Sequence, residues 1–87
     1  MIEEGDWRWN NGGAYLNGLA LVRRGWRETR PEWDHDHCEM CLTMFGDERI
    51  PDALHEGYTT EDEYRWICDT CFSDFRAFYN WRLLDAS

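Results

Sequence analysis

The chain has 87 residues and a mass of 10.5 kDa, room for a single domain over 1–87 and no more. Eighteen acidic residues face nine basic ones, all arginine, which sets the formal charge at −9 and the isoelectric point near 4.6. That balance argues against nucleic-acid and anionic-membrane partners, whose affinity comes from neutralising phosphates, and an aromatic content of 16% argues against a disordered chain.

The opening segment, Met1-Ile2-Glu3-Glu4-Gly5-Asp6, is acidic and has no apolar stretch. It does not read as a signal peptide, and no later run approaches the roughly 20 apolar residues of a membrane span. A cytoplasmic protein is therefore expected. Trp7-Arg8-Trp9 follows, in a segment expected to lie free of the core. Asn10-Asn11-Gly12-Gly13 marks a turn.

Beyond it, Tyr15, Leu19 and Val22 recur at helical spacing, and Arg23-Arg24-Gly25 reads as a helix C-terminus, with cations in the last turn before a left-handed glycine. This predicts a short helix over 13–24, an N-terminal helical extension. Trp26 to Arg30 should then run extended into Pro31, because the residue before proline avoids the helical region.

Residues 1–33 carry five acids and five arginines, whereas residues 34–87 carry 13 acids and four arginines, so the whole net charge belongs to the second segment. Leu42 to Phe45 offers core side chains, and Gly46 to Gly57 is a polar, turn-prone connection. Tyr58-Thr59-Thr60 and Tyr64-Arg65-Trp66-Ile67 are rich in β-formers and flank Glu61-Asp62-Glu63; they predict a hairpin with an acidic, solvent-facing tip. From Asp69 onward Phe72, Phe75, Tyr79 and Leu83 fall on one helical face, and Asp69 or Thr70 is the expected N-cap.

Four cysteines punctuate this second segment as two Cys-x-x-Cys pairs, Cys38/Cys41 and Cys68/Cys71, separated by 26 residues. Each such turn aims two sulfurs at one point, and two turns supply the four thiolates of a tetrahedral structural zinc site. Two disulfides would require an oxidising compartment. A thioredoxin-like redox site uses one such pair rather than two. Rubredoxin-like iron knuckles usually place glycine after the second cysteine, where this chain has Leu42 and Phe72. Four thiolates also leave no open position for a catalytic water. His35 and His37 stand just before the first pair and are expected to stay outside the ligand set.

The order knuckle, hairpin, knuckle, helix predicts a small α+β zinc-stabilised domain of treble-clef or zinc-ribbon-like type, with its zinc-binding module over 34–87. No phosphate-cradling glycine loop or Gly-x-Ser-x-Gly elbow is present, so no enzymatic activity is expected. Six tryptophans are a heavy load for this length. Most should pack around the metal site, with Trp7 and Trp9 the first to be expected as exposed anchors for a protein partner. The acidic stretch culminating in Glu61, Asp62 and Glu63 should face a basic surface on that partner.

The segments Asp34-His35-Asp36-His37-Cys38-Glu39-Met40-Cys41 and His55-Glu56-Gly57-Tyr58-Thr59-Thr60, together with Trp66-Ile67-Cys68-Asp69-Thr70-Cys71-Phe72-Ser73-Asp74-Phe75, resemble a group of small bacterial four-cysteine zinc-binding proteins. Some of that group look like immunity proteins of polymorphic, Rhs-type antibacterial toxins. The resemblance covers roughly residues 25–81 and implies an antitoxin that binds a cognate toxin and blocks its active site. The alternative is a zinc-ribbon-like adaptor subunit of a larger cytosolic assembly.

Overall fold

The computed structural model describes residues 3–84. Two short 3-10 turns, Trp7–Asn11 and Ala14–Leu16, precede strand β1 (Ala20–Gly25). A two-stranded ribbon follows, β2 (Asp36–His37) and β3 (Met44–Phe45), and then the hairpin β4 (Glu56–Thr60) and β5 (Trp66–Ile67). Helix α1 (Asp69–Tyr79) and a short strand β6 (Arg82–Leu83) complete the order. The main sheet runs β5-β4-β1-β6, antiparallel except for the parallel β1/β6 pair, so the architecture is a small α+β unit with one α-helix and a mixed sheet among the described residues. No helix there is long and apolar enough to cross a membrane.

The helix expected over 13–24 is not formed. Gly18 turns the chain with φ 69, and residues 20–25 enter the sheet as a central strand between β4 and β6. Apolar residues at helical spacing over so short a run are also compatible with a strand covered on both faces, and adjacent Leu21 and Val22 are both buried. Arg23 and Arg24, expected at a helix end, point to opposite faces as strand neighbours must. Arg23 reaches Glu56 and Asp69, whereas Arg24 reaches Glu63. Trp26 continues the ladder by donating its N–H to His55 O at 2.8 Å.

The hairpin β4/β5 forms as expected, pairing Tyr58 with Ile67 and Thr59 with Trp66. Its Gly57 has a steric role. A Cβ there would sit 2.6 Å from the Phe45 ring and 3.0 Å from Ile67 O, so the absence of a side chain lets Phe45 pack fully buried across the strand.

Helix α1 buries Cys71, Phe72, Phe75 and Tyr79. It ends one residue later at Asn80, left-handed at φ 56, rather than running on to Leu83. Leu83 instead lies on β6 opposite Leu21. The helix meets the sheet through Phe72, which stacks on Tyr58 with centroids 3.8 Å apart and planes 8° apart. Trp81 closes the far end, stacking on Tyr79 at 5.3 Å and donating its indole N–H to Leu16 O at 2.8 Å. That bond joins residues 65 apart in sequence and ties the N-terminal turn to the helix end.

Because Phe45 and Ile67 cannot both yield, Gly57→Ala should lower unfolding stability by about 1–3 kcal/mol, the usual cost of overpacking. Denaturant titration reads this directly. An unchanged midpoint would contradict the packing described.

Candidate metal centre

The first cysteine pair sits at the turn of the β2/β3 ribbon. Cys38 N donates to Thr43 O and Leu42 N to Cys38 O, at 2.8 and 3.0 Å, folding residues 38–43 into a tight knuckle. Leu42 completes it in the left-handed region at φ 67, a conformation that costs a residue with a Cβ about 1–2 kcal/mol. Its side chain is exposed, so the turn is closed by backbone geometry and not by packing.

The second pair opens helix α1. Cys68, not Asp69 or Thr70, is the N-cap: its sulfur accepts from Cys71 N at 3.5 Å. The expected cap shifts by one residue because sulfur serves as the acceptor usually provided by an oxygen. Cys68 N in turn donates to Cys38 Sγ at 3.5 Å, linking the two knuckles through backbone and sulfur.

All four sulfurs lie within 4.8 Å of one another. Cys38, Cys68 and Cys71 are buried and Cys41 is half-buried, and all four are free thiols with no disulfide. The electrostatics of the cluster are uneven. Cys38 is held well below the ordinary thiol range by hydrogen bonds from Cys68 and then Cys71. Cys68 is pushed up to about 12 and Cys71 is also raised, in both cases chiefly by Cys38 beside them. Thiolates packed this closely repel one another, and a divalent cation among them would relieve that repulsion.

The sequence-predicted ligands are thus brought together as a set. His35 and His37 are not part of it. Both are exposed, His35 Nδ1 lies 2.7 Å from Asp34 Oδ1, and the two rings meet edge to face with centroids 5.0 Å apart.

Arg8 is the residue that sequence reasoning missed. Its Nη1 donates to Cys71 Sγ at 3.4 Å and lies 2.9 Å from Asp74 Oδ2. Asp6 grips the same guanidinium through Nε and Nη2 and accepts from Arg8 N. Asp6 is held down to about 2, first by the Arg8 side chain, and Arg8 is raised well above the ordinary guanidinium range, first by Asp6. The guanidinium also lies over the Phe75 ring at 4.7 Å. A positive charge placed against a sulfur of an anionic cluster favours the thiolate form. The 63-residue separation explains why no local pattern revealed it.

The expected partner residues divide. Trp7 is exposed at the surface. Trp9, expected as a second free anchor, is half-buried and packs edge-on against Phe75 and Phe78 with centroids 4.8 and 4.7 Å away. The Trp7–Asn11 turn is therefore docked on α1 and does not lie free of the core. At the hairpin tip Glu61 is exposed, and Asp62 accepts from Thr60 Oγ1 and Tyr64 N within the turn.

Glu63 corrects the picture of a solvent-facing tip. It is 4% exposed, sits at φ 58, and its carboxylate accepts from Arg27 at 2.8 Å and Arg24 at 3.1 Å. The Arg27 guanidinium, helped by Arg24, holds its carboxyl below the usual range. Its stabilising contribution is therefore fully present above about pH 4.3 and is lost as pH falls through the depressed value.

Comparison with models of known protein families, with curated proteins and with solved structures returns no significant match to this chain.

Arg8→Ala should weaken metal affinity about ten-fold or more, the usual effect of removing a group that orients a ligand, while Arg8→Lys should recover part of it. Competition against a chromophoric chelator measures this; equal affinity in all three proteins would contradict the role given to Arg8. Glu63→Lys should cost about 3–5 kcal/mol by burying an unpaired cation against two arginines, whereas Glu61→Lys should stay within about 0.5 kcal/mol of the parent. Urea unfolding of the two variants separates these outcomes.

Proposed function

We propose that Cys38, Cys41, Cys68 and Cys71 hold one structural zinc ion, and that the chain is a treble-clef-like, non-enzymatic protein-binding module acting as an immunity protein. The observation that carries the metal reading is the convergence of four free sulfurs within 4.8 Å, two from a ribbon knuckle and two from a helix start. Thiolate sulfur suits zinc, and a four-sulfur set is of the closed, structural kind. Zinc would supply a fixed cross-link and charge neutralisation, with no open position for substrate. The ribbon with its knuckle, the β4/β5 hairpin and the helix that starts at the second cysteine pair follow one another in treble-clef order. The positive end of the α1 dipole favours the thiolates of Cys68 and Cys71.

The binding reading is supported by charge and by exposed side chains. Net charge is −9, and Trp7, Tyr15, Trp33 and Tyr64 are large aromatic side chains left at the surface. An acidic module of this kind is steered towards a basic cleft and blocks it by occupying it. The antitoxin role in particular rests on the resemblance of the cysteine segments to immunity proteins of Rhs-type toxins. In that role the chain acts in the cytoplasm on its cognate toxin.

Purified protein should carry one zinc per chain with four sulfur neighbours by X-ray absorption. Any one of the four Cys→Ser changes should release it, and His35→Ala and His37→Ala should leave it in place. A nitrogen neighbour, or full zinc in a Cys→Ser variant, would contradict the ligand set. The antitoxin role is tested by expressing the toxin domain encoded directly upstream in the native genome with and without this chain. Restored growth supports the role, and unrelieved killing, or no toxin gene upstream, overturns it.

A further inference from the structure

The four sulfurs are not equally shielded. Three of them are buried, and each accepts from an N–H donor: Cys38 Sγ from Cys68 N at 3.5 Å, Cys68 Sγ from Cys71 N at 3.5 Å, and Cys71 Sγ from the Arg8 guanidinium at 3.4 Å. Cys41 is half-buried. Its sulfur meets the Thr43 hydroxyl at 3.1 Å, and among the described residues no N–H group bonds to it. An N–H donor stabilises a thiolate and lowers its nucleophilicity, so the sulfur without one is the strongest nucleophile of the set.

Cys41 also has the open approach. With Cys68 and Cys71 it lines a solvent-facing cavity of about 550 Å³, whose walls include Arg8, Thr43 and Thr70. Cys38, at 0% exposure, does not line it. The threonine hydroxyls can hydrogen-bond a small polar molecule there, and the Arg8 charge stabilises negative charge that develops beside the sulfurs. Cys41 Sγ lies 3.6 Å from Cys68 Sγ, so the two knuckles touch through this pair.

We propose that Cys41 is a peroxide-reactive cysteine resolved by Cys68, and that this oxidation unlocks the metal centre. The release of metal rests on the zinc reading above; the sulfur chemistry does not. The Cys41 thiolate attacks one oxygen of hydrogen peroxide, the O–O bond breaks, hydroxide leaves and the sulfur becomes a sulfenic acid. The Cys68 thiolate then attacks the Cys41 sulfur, forming the Cys41–Cys68 disulfide and expelling a second hydroxide. Two electrons thus pass from two thiolates to one peroxide. Only Cys38 and Cys71 remain to hold the metal, too few for a closed tetrahedral site, and zinc leaves. The disulfide ties the ribbon knuckle to the helix start in place of the metal, and a thiol reductant reverses the change.

The test is a titration of the zinc-loaded full chain with hydrogen peroxide, beside a chromophoric zinc chelator too weak to strip the untreated protein. Each equivalent of peroxide should release about one equivalent of zinc, as the balanced steps require. Mass spectrometry after digestion at acidic residues assigns the sulfurs, because Glu39 lies between Cys38 and Cys41 and Asp69 between Cys68 and Cys71. The expected first product is the Cys41–Cys68 disulfide, and dimedone added with the peroxide should label Cys41 at the expense of that disulfide. A first label on another cysteine, a main product bridged within either Cys-x-x-Cys pair, or four intact thiols after a several-fold excess of peroxide overturns the assignment. A Cys41–Cys68 disulfide formed in protein that carries no zinc upholds the reactive pair and removes the zinc reading. Zinc and thiols both retained under excess peroxide uphold the zinc reading and remove the reactive pair.

Discussion

Four sulfurs meeting in one small volume are the constraint on which the rest of the molecule depends. Eighty-seven residues bury a limited core, and chains of this size commonly add a staple. Here the two knuckles come from separate elements, Cys38 and Cys41 from a ribbon of two-residue strands and Cys68 and Cys71 from the start of the helix. The ribbon has so few ladder bonds that it cannot hold itself in position. Its placement follows from the sulfurs, from Cys68 N bonded to Cys38 Sγ, and from Glu39 N bonded to Trp66 O. Once helix α1 is fixed at its start, Phe72 is carried onto Tyr58 of the sheet and Phe75 into the core.

The N-terminal segment completes this arrangement. β1 occupies the middle of the sheet, so the hairpin and β6 are joined only through it. Ahead of β1, Arg8 and Trp9 press on the same helix, one at the Cys71 sulfur and the other on Phe75 and Phe78. The segment that is neutral in overall charge is thus the one that brings a cation to the thiolates. Much of the acidic remainder lies at the surface, and Asp34, Asp36 and Glu39 gather beside Trp33 and Tyr64.

What was legible in the sequence was whatever is encoded locally. The spacing within each cysteine pair, the β-formers on either side of Glu61-Asp62-Glu63 and the helical stripe from Phe72 to Tyr79 all concern neighbours a few residues apart, and each marks the corresponding element. What was not legible depends on distant partners. Residues 13–24 resemble a helix when read alone; the part from Ala20 on forms a strand because β4 and β6 flank it, after Gly18 has turned the chain. Glu63 looked solvated within an acidic run, and only its distance to Arg24 and Arg27, nearly forty residues away, shows it to be buried. Leu83 matches the helical face in spacing, yet Asn80 ends the helix first and Leu83 joins β1 instead. The N-cap lies one residue before the expected positions for a chemical reason, since a sulfur of the cysteine cluster caps the helix.

The central claim is that metal held by the four sulfurs organises the fold, and that the metal is not a passenger on a preformed domain. Amide hydrogen exchange of the intact chain, before and after zinc is withdrawn with a strong chelator under reducing conditions, tests it most directly. The account predicts that withdrawal removes protection from the β2/β3 ribbon, the first turns of α1 and the docked segment around Arg8 together, with the β1/β4 ladder following. Protection that stays unchanged throughout after complete removal of the metal would contradict it.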